Sequence, residues 1–550
     1  MNKTITPAVF LGLVVAVAAW AQQGSDTGSA LAGPLVIEMN PSGRAPLAGV
    51  ASFTTTEPVR ATITVTDNAG HSFSATSGDE PATEHEIMLL GFRPSRPHQV
   101  SLTLETANGA SSEAARVSVI SPELPYTTVP LDVTAFRPDA MEPGLTMIPM
   151  FRWMNQNVDP TYGQMVVVDD EGEIVWYYEA PHTAMEYKRL ANGNLLYLGF
   201  DRILFEIDML GNPVRHWHAS GTVRTPPDGS IPVDVDTFHH DMLIMPSGNI
   251  LALATEVREV ADWYTSETDP DAPRETQQII SDVLVEFEPD GTIINRWNFF
   301  DLIDPYRIGY GSLAKDFYAV AYEGILEEPA PDWTHMNGID YDPATDSIVI
   351  STNHLSTVFK LDRATGELEW MFGDPTGWRE PWSELLLEPE DPDMLWSYHH
   401  HTPKWTSAGT LLLYDNGAAR ALPFNPPLTP EQSFSRAVEY AIDEDRRTIR
   451  EIWTYGGPGP DDERFLSSFV SEVDLLPRTG NILVTSGGRV RDREGNPLLA
   501  PFQGHPWLTI TEVTHRQPAE KIWEVAIDDP RWGMSSFRAD RIESLYWGTD

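Results

Sequence analysis

Cysteine is absent from all 550 residues. That excludes disulfides, thiolate metal sites and lipid attachment through sulfur. Basic residues are scarce: 37 Lys and Arg stand against 81 Asp and Glu, a formal net charge of −44. So acidic a chain lacks the basic footprint that nucleic acid binding requires. Beyond the first two dozen residues no stretch is long and apolar enough to cross a bilayer. With no covalent staple, stability must come from burial and sheet closure. The length exceeds one ordinary core, so at least two domains are expected.

The chain opens with Met1-Asn2-Lys3, an apolar run from Ala8 to Trp20, and Ala19-Trp20-Ala21 before Gln22. A positive start, a short apolar core and a small-x-small site predict a signal peptide over 1–21. The expected location is periplasmic or secreted, with no stable membrane insertion after cleavage. Residues 22–33, rich in Gly, Ser and Ala, read as a linker. Residues 34–122 alternate in short runs such as Ala61-Thr62-Ile63-Thr64-Val65, separated by turns such as Asn108-Gly109. This pattern predicts a small β-sandwich of immunoglobulin or fibronectin type.

A Pro-rich crossing is expected over 123–143, and then a different repeat begins. A turn, a strand and a tryptophan recur at Trp176, Trp217, Trp297, Trp370, Trp453 and Trp523. Alternating strands precede each copy, and most are followed by a strand opened at a Gly turn, as at Gly193, Gly248, Gly409 and Gly480. Four strands per unit, repeated radially, make a β-propeller, so residues 144–550 predict six blades. The fold class is therefore all-β, a six-bladed propeller preceded by the sandwich. Long loops near 298–334, 371–398 and 454–469 predict a lidded funnel. Its aromatic candidates are Tyr306, Tyr310, Phe317, Tyr318, Trp333 and Trp378.

Aligned on the Gly turns, His240, His335 and His401 fall at one repeat position. Packing alone would accept any residue there, so their recurrence points to chemistry. Three imidazoles suit a zinc ion or a covalent histidine intermediate supported by hydrogen-bond donors. Asn337, two residues after His335, faces the same side of a strand, and a donating amide suits an oxyanion better than a metal shell.

The motifs His239-His240-Asp241, His335-Met336-Asn337, Ser351-Thr352-Asn353-His354, His400-His401-Thr402 with Tyr414-Asp415-Asn416-Gly417, and Phe537-Arg538-Ala539-Asp540-Arg541 together resemble the bacterial arylsulfate sulfotransferase family. The resemblance covers most of the chain after the leader. It implies an aryl sulfotransferase acting by ping-pong transfer from an aryl sulfate donor to a phenolic acceptor. His401 matches the family's nucleophile, His240 and His335 its sulfate-surrounding histidines, and Asn337 its active-site amide. Neither cofactor nor metal is implied, and a homodimer through the small domain is the only assembly it points to. The family has an arginine where this chain has Asn353; Arg538 and Lys404 are the candidates to supply that charge to the substrate. Two rivals stay open: a metal-dependent hydrolase or lyase on the same histidines, and a non-catalytic ligand-binding propeller.

Overall fold

A computed structural model describes residues 15–19, 30–126, 128–152, 163–181, 183–459, 464–531 and 533–547. The expected signal peptide and linker lie outside these residues, apart from 15–19 and 30–33. Val15–Ala19 pairs antiparallel with Leu35–Met39.

In the small domain, alternating sequence becomes alternating burial. Val59, Ala61, Ile63 and Val65 point inward while the intervening residues face out. The long strand Ala48–Asp67 serves two sets of partners. Its first part pairs with Leu35–Met39 and Ala82–Leu90, its second with Ser72–Thr76 and Pro97–Thr106. The register breaks between Thr54 and Val59, where Pro58 has no N–H to give a ladder. Leu35, Ile37 and Phe53 from one arm share a core with Ile63, Val100 and Val117 from the other. Buried Arg93 ties this domain to the larger one, reaching Asp169 at 2.5 Å and Glu171 at 2.9 Å.

Six further sheets make up the larger domain among the described residues, each of four or five strands. Counted along the main antiparallel run of each, their first strands are Asp540–Ile542, Ala184–Arg189, His239–Ile244, Met336–Asp342, His401–Trp405 and Glu472–Leu475. Two exchanges join the ends of the series. Asp540–Ile542 pairs with Leu145–Phe151 in the first sheet, and Leu131–Phe136 pairs with Lys521–Ile527 in the sixth. The crossing expected at 123–143 therefore needs correction. Residues 131–136 form a strand, because the outer edge of the sixth sheet takes up their backbone donors and acceptors.

The six repeated tryptophans all lie on the fourth strand of the main antiparallel run in their sheets. Their indoles reach forward to the turn of the next sheet. Trp176 donates to Met209 O, Trp217 to Pro289 O, Trp370 to the Glu444 carboxylate and Trp453 to Arg516 O. Trp297 lies against Gly366, where an added Cβ would come within 3.1 Å of the ring. Trp523 donates to Asp170 O, which leads from the sixth sheet back to the first. Buried indoles need such an N–H partner, and these partners fix neighbour to neighbour. The apolar clusters follow the same rule: Trp217 and Leu204 pack with Val285 and Phe287, and Trp453 and Tyr414 with Val473 and Val484. Each such buried side chain is worth roughly 1.5–3 kcal/mol.

Candidate active site

The first strands of the third, fourth and fifth sheets share an irregular start. Register shifts fall between His239 and Met242, Met336 and Gly338, and His401 and Lys404. A bulge inserts unpaired residues and re-aims their side chains. Positive φ accompanies each: 51° at His240, 49° at His335 and 51° at Thr402. Non-glycine residues adopt that conformation only where the surroundings hold them. The third copy differs in detail, since the left-handed residue follows its histidine.

The bulges gather the imidazoles. His240 and His335 meet edge to face, 4.7 Å between ring centroids, and His335 stacks on His354 at 4.5 Å. Phe317 lies 4.9 Å from His240 and 4.7 Å from His335, and Tyr318 packs on His239 at 5.5 Å. Of the six expected lid aromatics, these two reach the histidines. Trp333 and Trp378 join the apolar core, while Tyr306 and Tyr310 donate to Ala261 O and Asn425 O.

His401 is held by one amide. Asn416 Nδ2 donates to Ser467 O at 2.7 Å and Val470 O at 2.8 Å. Two carbonyls therefore fix the amide's orientation, and its Oδ1 accepts from His401 Nδ1 at 2.8 Å. The His401 proton sits on Nδ1, and Nε2 keeps its lone pair. Burial pulls His401 well below the usual imidazole range, helped by the charges of His335, Arg538 and His400, while the Asn416 hydrogen bond acts the other way. The ring is neutral at neutral pH.

The other histidines have partners of their own. His335 Nδ1 meets the Asp332 carboxylate. Burial brings His335 down to about 4 and pushes Asp332 up to about 7. Above that pH the carboxylate accepts from Nδ1 and leaves Nε2 as a base. His239 Nε2 lies 3.1 Å from both Asp282 Oδ1 and Ala254 O, and its Nδ1 is 2.9 Å from His240 Nδ1. The two Nδ1 atoms face each other with one hydrogen between them, so the tautomer of one ring fixes that of the other. Burial, then the charges of His335 and His239, keep His240 well below its ordinary value.

Asn337 is fully buried; it donates to His400 O at 2.8 Å and accepts from Ser351 at 2.6 Å. Among the described residues its second amide hydrogen is uncommitted. Asn353 pairs twice with His399, through its carbonyl and through Nδ1, each at 3.0 Å. Arg538 and Lys404 lie one step further along, in a layer of paired charge. Arg538 contacts Glu186, Asp241 at 2.6 Å, Glu472 at 3.2 Å and Thr402 at 2.8 Å. Lys404 reaches Glu472 at 2.8 Å and Asp474 at 3.2 Å. Carboxylates already engage both cations, and Arg538 acts on His240 and His401 through its field.

The model of the arylsulfotransferase family matches residues 133–529, and that of the arylsulfotransferase Ig-like domain matches 36–120. The chain belongs to the arylsulfotransferase family. It is 29% identical over 287 residues to the arylsulfate sulfotransferase AssT of Escherichia coli O6:H1, covering 46% of this chain and 44% of the relative. The AssT of Lelliottia amnigena is 29% identical over 295 residues, 47% of each chain. The chain thus spans about half the length of these relatives. Among solved structures, a putative 6-phosphogluconolactonase of Bacteroides fragilis aligns at TM-score 0.32 and 10% identity, over 89% of this chain and 99% of that one.

Beside the histidines stand the residues that orient them. Asp332, Asp282, His239 and Asn416 set which nitrogen of each imidazole carries a proton. Of these, His239 and Asn416 sit in the sequence motifs, but without a visible role. Asp332 had a faint signal three residues before His335, whereas Asp282 comes from a strand more than forty residues from His239. Among the described residues, two groups converge closely enough to hold a metal ion: Asp332, His335 and His354, and Glu472, Asp474 and Asp540. The set of His240, His335 and His401 is not among them.

Proposed function

We propose that this arylsulfotransferase-family chain moves a sulfuryl group from an aryl sulfate to a phenolic acceptor through a covalent sulfohistidine at His401, and that its six sheets are the blades of one propeller. The forward reach of each tryptophan, with Trp523 returning to the first sheet, supports six blades. The observation that carries the chemistry is the Asn416 lock, which gives His401 one free lone pair on Nε2.

In the first half-reaction, Nε2 attacks sulfur in line. The N–S bond forms as the S–O(aryl) bond breaks and the electron pair leaves on the phenolate oxygen. The transition state is loose, as in phosphoryl transfer, with charge spread over the sulfuryl oxygens. The second amide hydrogen of Asn337 is a donor for those oxygens, and His240 is another in the tautomer with its hydrogen on Nε2, each worth on the order of 3 kcal/mol in a water-excluded site. With Asp332 protonated and the His335 hydrogen on Nε2, His335 protonates the leaving oxygen as the Asp332 proton passes to Nδ1. In the second half-reaction it takes the proton of the incoming phenol, whose oxygen attacks sulfur and releases His401. That is acid–base work suited to imidazole. A sulfate monoester bears a single negative charge, so neutral donors and the field of Arg538 suffice without the arginine that Asn353 replaces. Phe317 offers a face to the aryl ring. The apolar run at 8–20 supports export before the protein acts.

Mass spectrometry after exposure to 4-nitrophenyl sulfate tests this reading: a sulfo adduct is expected on the peptide containing His401. Turnover with no adduct in a rapidly quenched sample argues for direct transfer. A second reading draws on the convergence of Asp332, His335 and His354: metal-dependent hydrolysis. Activity unaffected by EDTA removes it; activity lost to EDTA and restored by zinc favours it.

A further inference from the structure

A cavity of about 720 Å³ lies away from the histidines, walled by residues 430–433, 464–466, 489–497 and Trp507. Its size falls within the range of small-molecule sites, roughly 300–1,000 Å³. Arg464, Arg489, Arg491 and Arg493 line it alongside Glu431, Asp492 and Glu494, a concentration of arginine on a chain of net charge −44. Arg491 is neutralised by Asp528 at 2.5 Å. Among the described residues Arg489 has no carboxylate partner. Its hydrogen bond there is a long one, 3.4 Å to Thr509, and its guanidinium lies 3.9 Å over the Trp507 ring and 5.8 Å from Phe465. Packing on rings holds the fork in place, and among the described residues its Nε and Nη2 have no hydrogen-bond partner; paired N–H groups of this kind can grip two oxygens of one anion.

The cavity is connected to the histidine site. The register shift between Ser486 and Arg489 contains Gly487 and Gly488. A Cβ on Gly487 would meet Ser536 O at 1.7 Å, and one on Gly488 would meet Phe469 O at 2.1 Å. Gly487 N donates to Ser471 and Gly488 N to Ser467. Ser467 O in turn holds Asn416, the residue that orients His401. In an antiparallel sheet the later part of Ile482–Arg491 lies beside the start of Glu472–Leu475, where Glu472 pairs with Thr485.

We propose that Arg489, braced on Trp507, is the anion-binding element of a second site for small aromatic monoanions, separate from His401. The guanidinium takes the anionic group, and Phe465, Leu466, Pro430 and Pro497 take the ring. The rim carboxylates Glu431, Asp492 and Glu494 repel a second negative charge, so sulfates and sulfonates are preferred over phosphate dianions. That the natural ligand is a sulfate ester rests on the sulfotransferase reading; binding of an aryl monoanion does not.

The test is isothermal titration with 2-naphthalenesulfonate, whose C–S bond is not transferable, at pH 8. The expected result is that folded Arg489→Gln, checked by its melting temperature, loses one equivalent of binding or weakens it at least tenfold, whereas His401→Asn retains it. On the unaltered protein, 2-naphthyl phosphate and uncharged 2-naphthol are expected to bind at least tenfold more weakly at this site. Unchanged stoichiometry and affinity in folded Arg489→Gln overturns the proposal, as does equal binding of the sulfonate and 2-naphthol. Because the probe undergoes no transfer, a failed sulfotransferase assay and a failed titration are separate results.

Discussion

Two buried polar layers lie next to each other along the first strands, and burial acts on them in opposite ways. The histidine layer is made of single imidazoles, each stripped of charge: His399 is held down at about 3, and His335, His354 and His400 at about 4. The layer beside it keeps part of its charge by pairing, although burial still pushes Glu186 up to about 7 and Asp474 well above the usual carboxylate range. Arg538 stays protonated among Glu186, Asp241 and Glu472, and Glu472 is held at about 2 despite its burial, by Lys404 and then Arg538. Desolvation is the first cause in both. What differs is the number of opposite charges within reach. A neutral histidine keeps its lone pair for a sulfur atom, whereas a paired arginine is a fixed support.

The comparison breaks most sharply at His401. His401→Ala is expected to lower kcat at least on the order of 10⁴-fold in a 4-nitrophenyl sulfate assay with a phenol acceptor, with little change in melting temperature. Full activity would remove the nucleophile. In the charged layer the expected loss is of the other kind. Arg538→Met strands three carboxylates and should cost about 3–5 kcal/mol of stability, read by denaturant unfolding; an unchanged midpoint would mean that the ion pairs contribute nothing net.

Between these lies Asn416. Asn416→Ala frees the His401 tautomer and should cost on the order of 10²-fold in kcat, with KM nearly unchanged. Equal losses in kcat and 1/KM would point to misfolding of the pocket instead. The smallest effect is the response to pH. The buried histidines have folded values below their unfolded one of about 6.5, so the unfolded chain takes up protons first. Their contribution to stability is whole above about pH 6.5 and is lost as pH falls towards 4. Asp332 and Glu186, both near 7 when folded, act in the opposite direction, as do Asp474 and Asp340, whose carboxyls burial also pushes up. Asp332→Asn removes one of the opposing groups, so its unfolding midpoint should drop more steeply between about pH 6.5 and 4 than that of the unaltered chain, and matching profiles would mean that the Asp332 carboxyl is solvated.

The fold was largely legible in the residues because its signals are local. A tryptophan strand, a Gly turn and an alternating run each declare themselves within about ten positions, and the histidines could be aligned by counting from those turns. The boundary at 131–136 was less clear, because an edge strand is recognised by its partner. The charge state of the site was hidden for the same reason. Arg538 meets Glu186 across 352 positions, and nothing near either residue foretells the other. Lys404 and Arg538 read alone as free cations; paired, they are supports. Asn416 was visible as a motif, yet its role needed the two carbonyls that turn its amide.

The strand exchange at the sixth sheet bears on how the molecule comes into being. Thr134 bonds to Glu524 across 390 positions, so a chain leaving the ribosome must carry Leu131–Phe136 without its partner while nearly all the sheets are made. Loop closure over such a span is entropically slow. Until Lys521–Ile527 arrives, that exposed edge is open to a strand from another molecule. Yield during synthesis, more than stability once made, is where substitutions in these two short segments would be felt first.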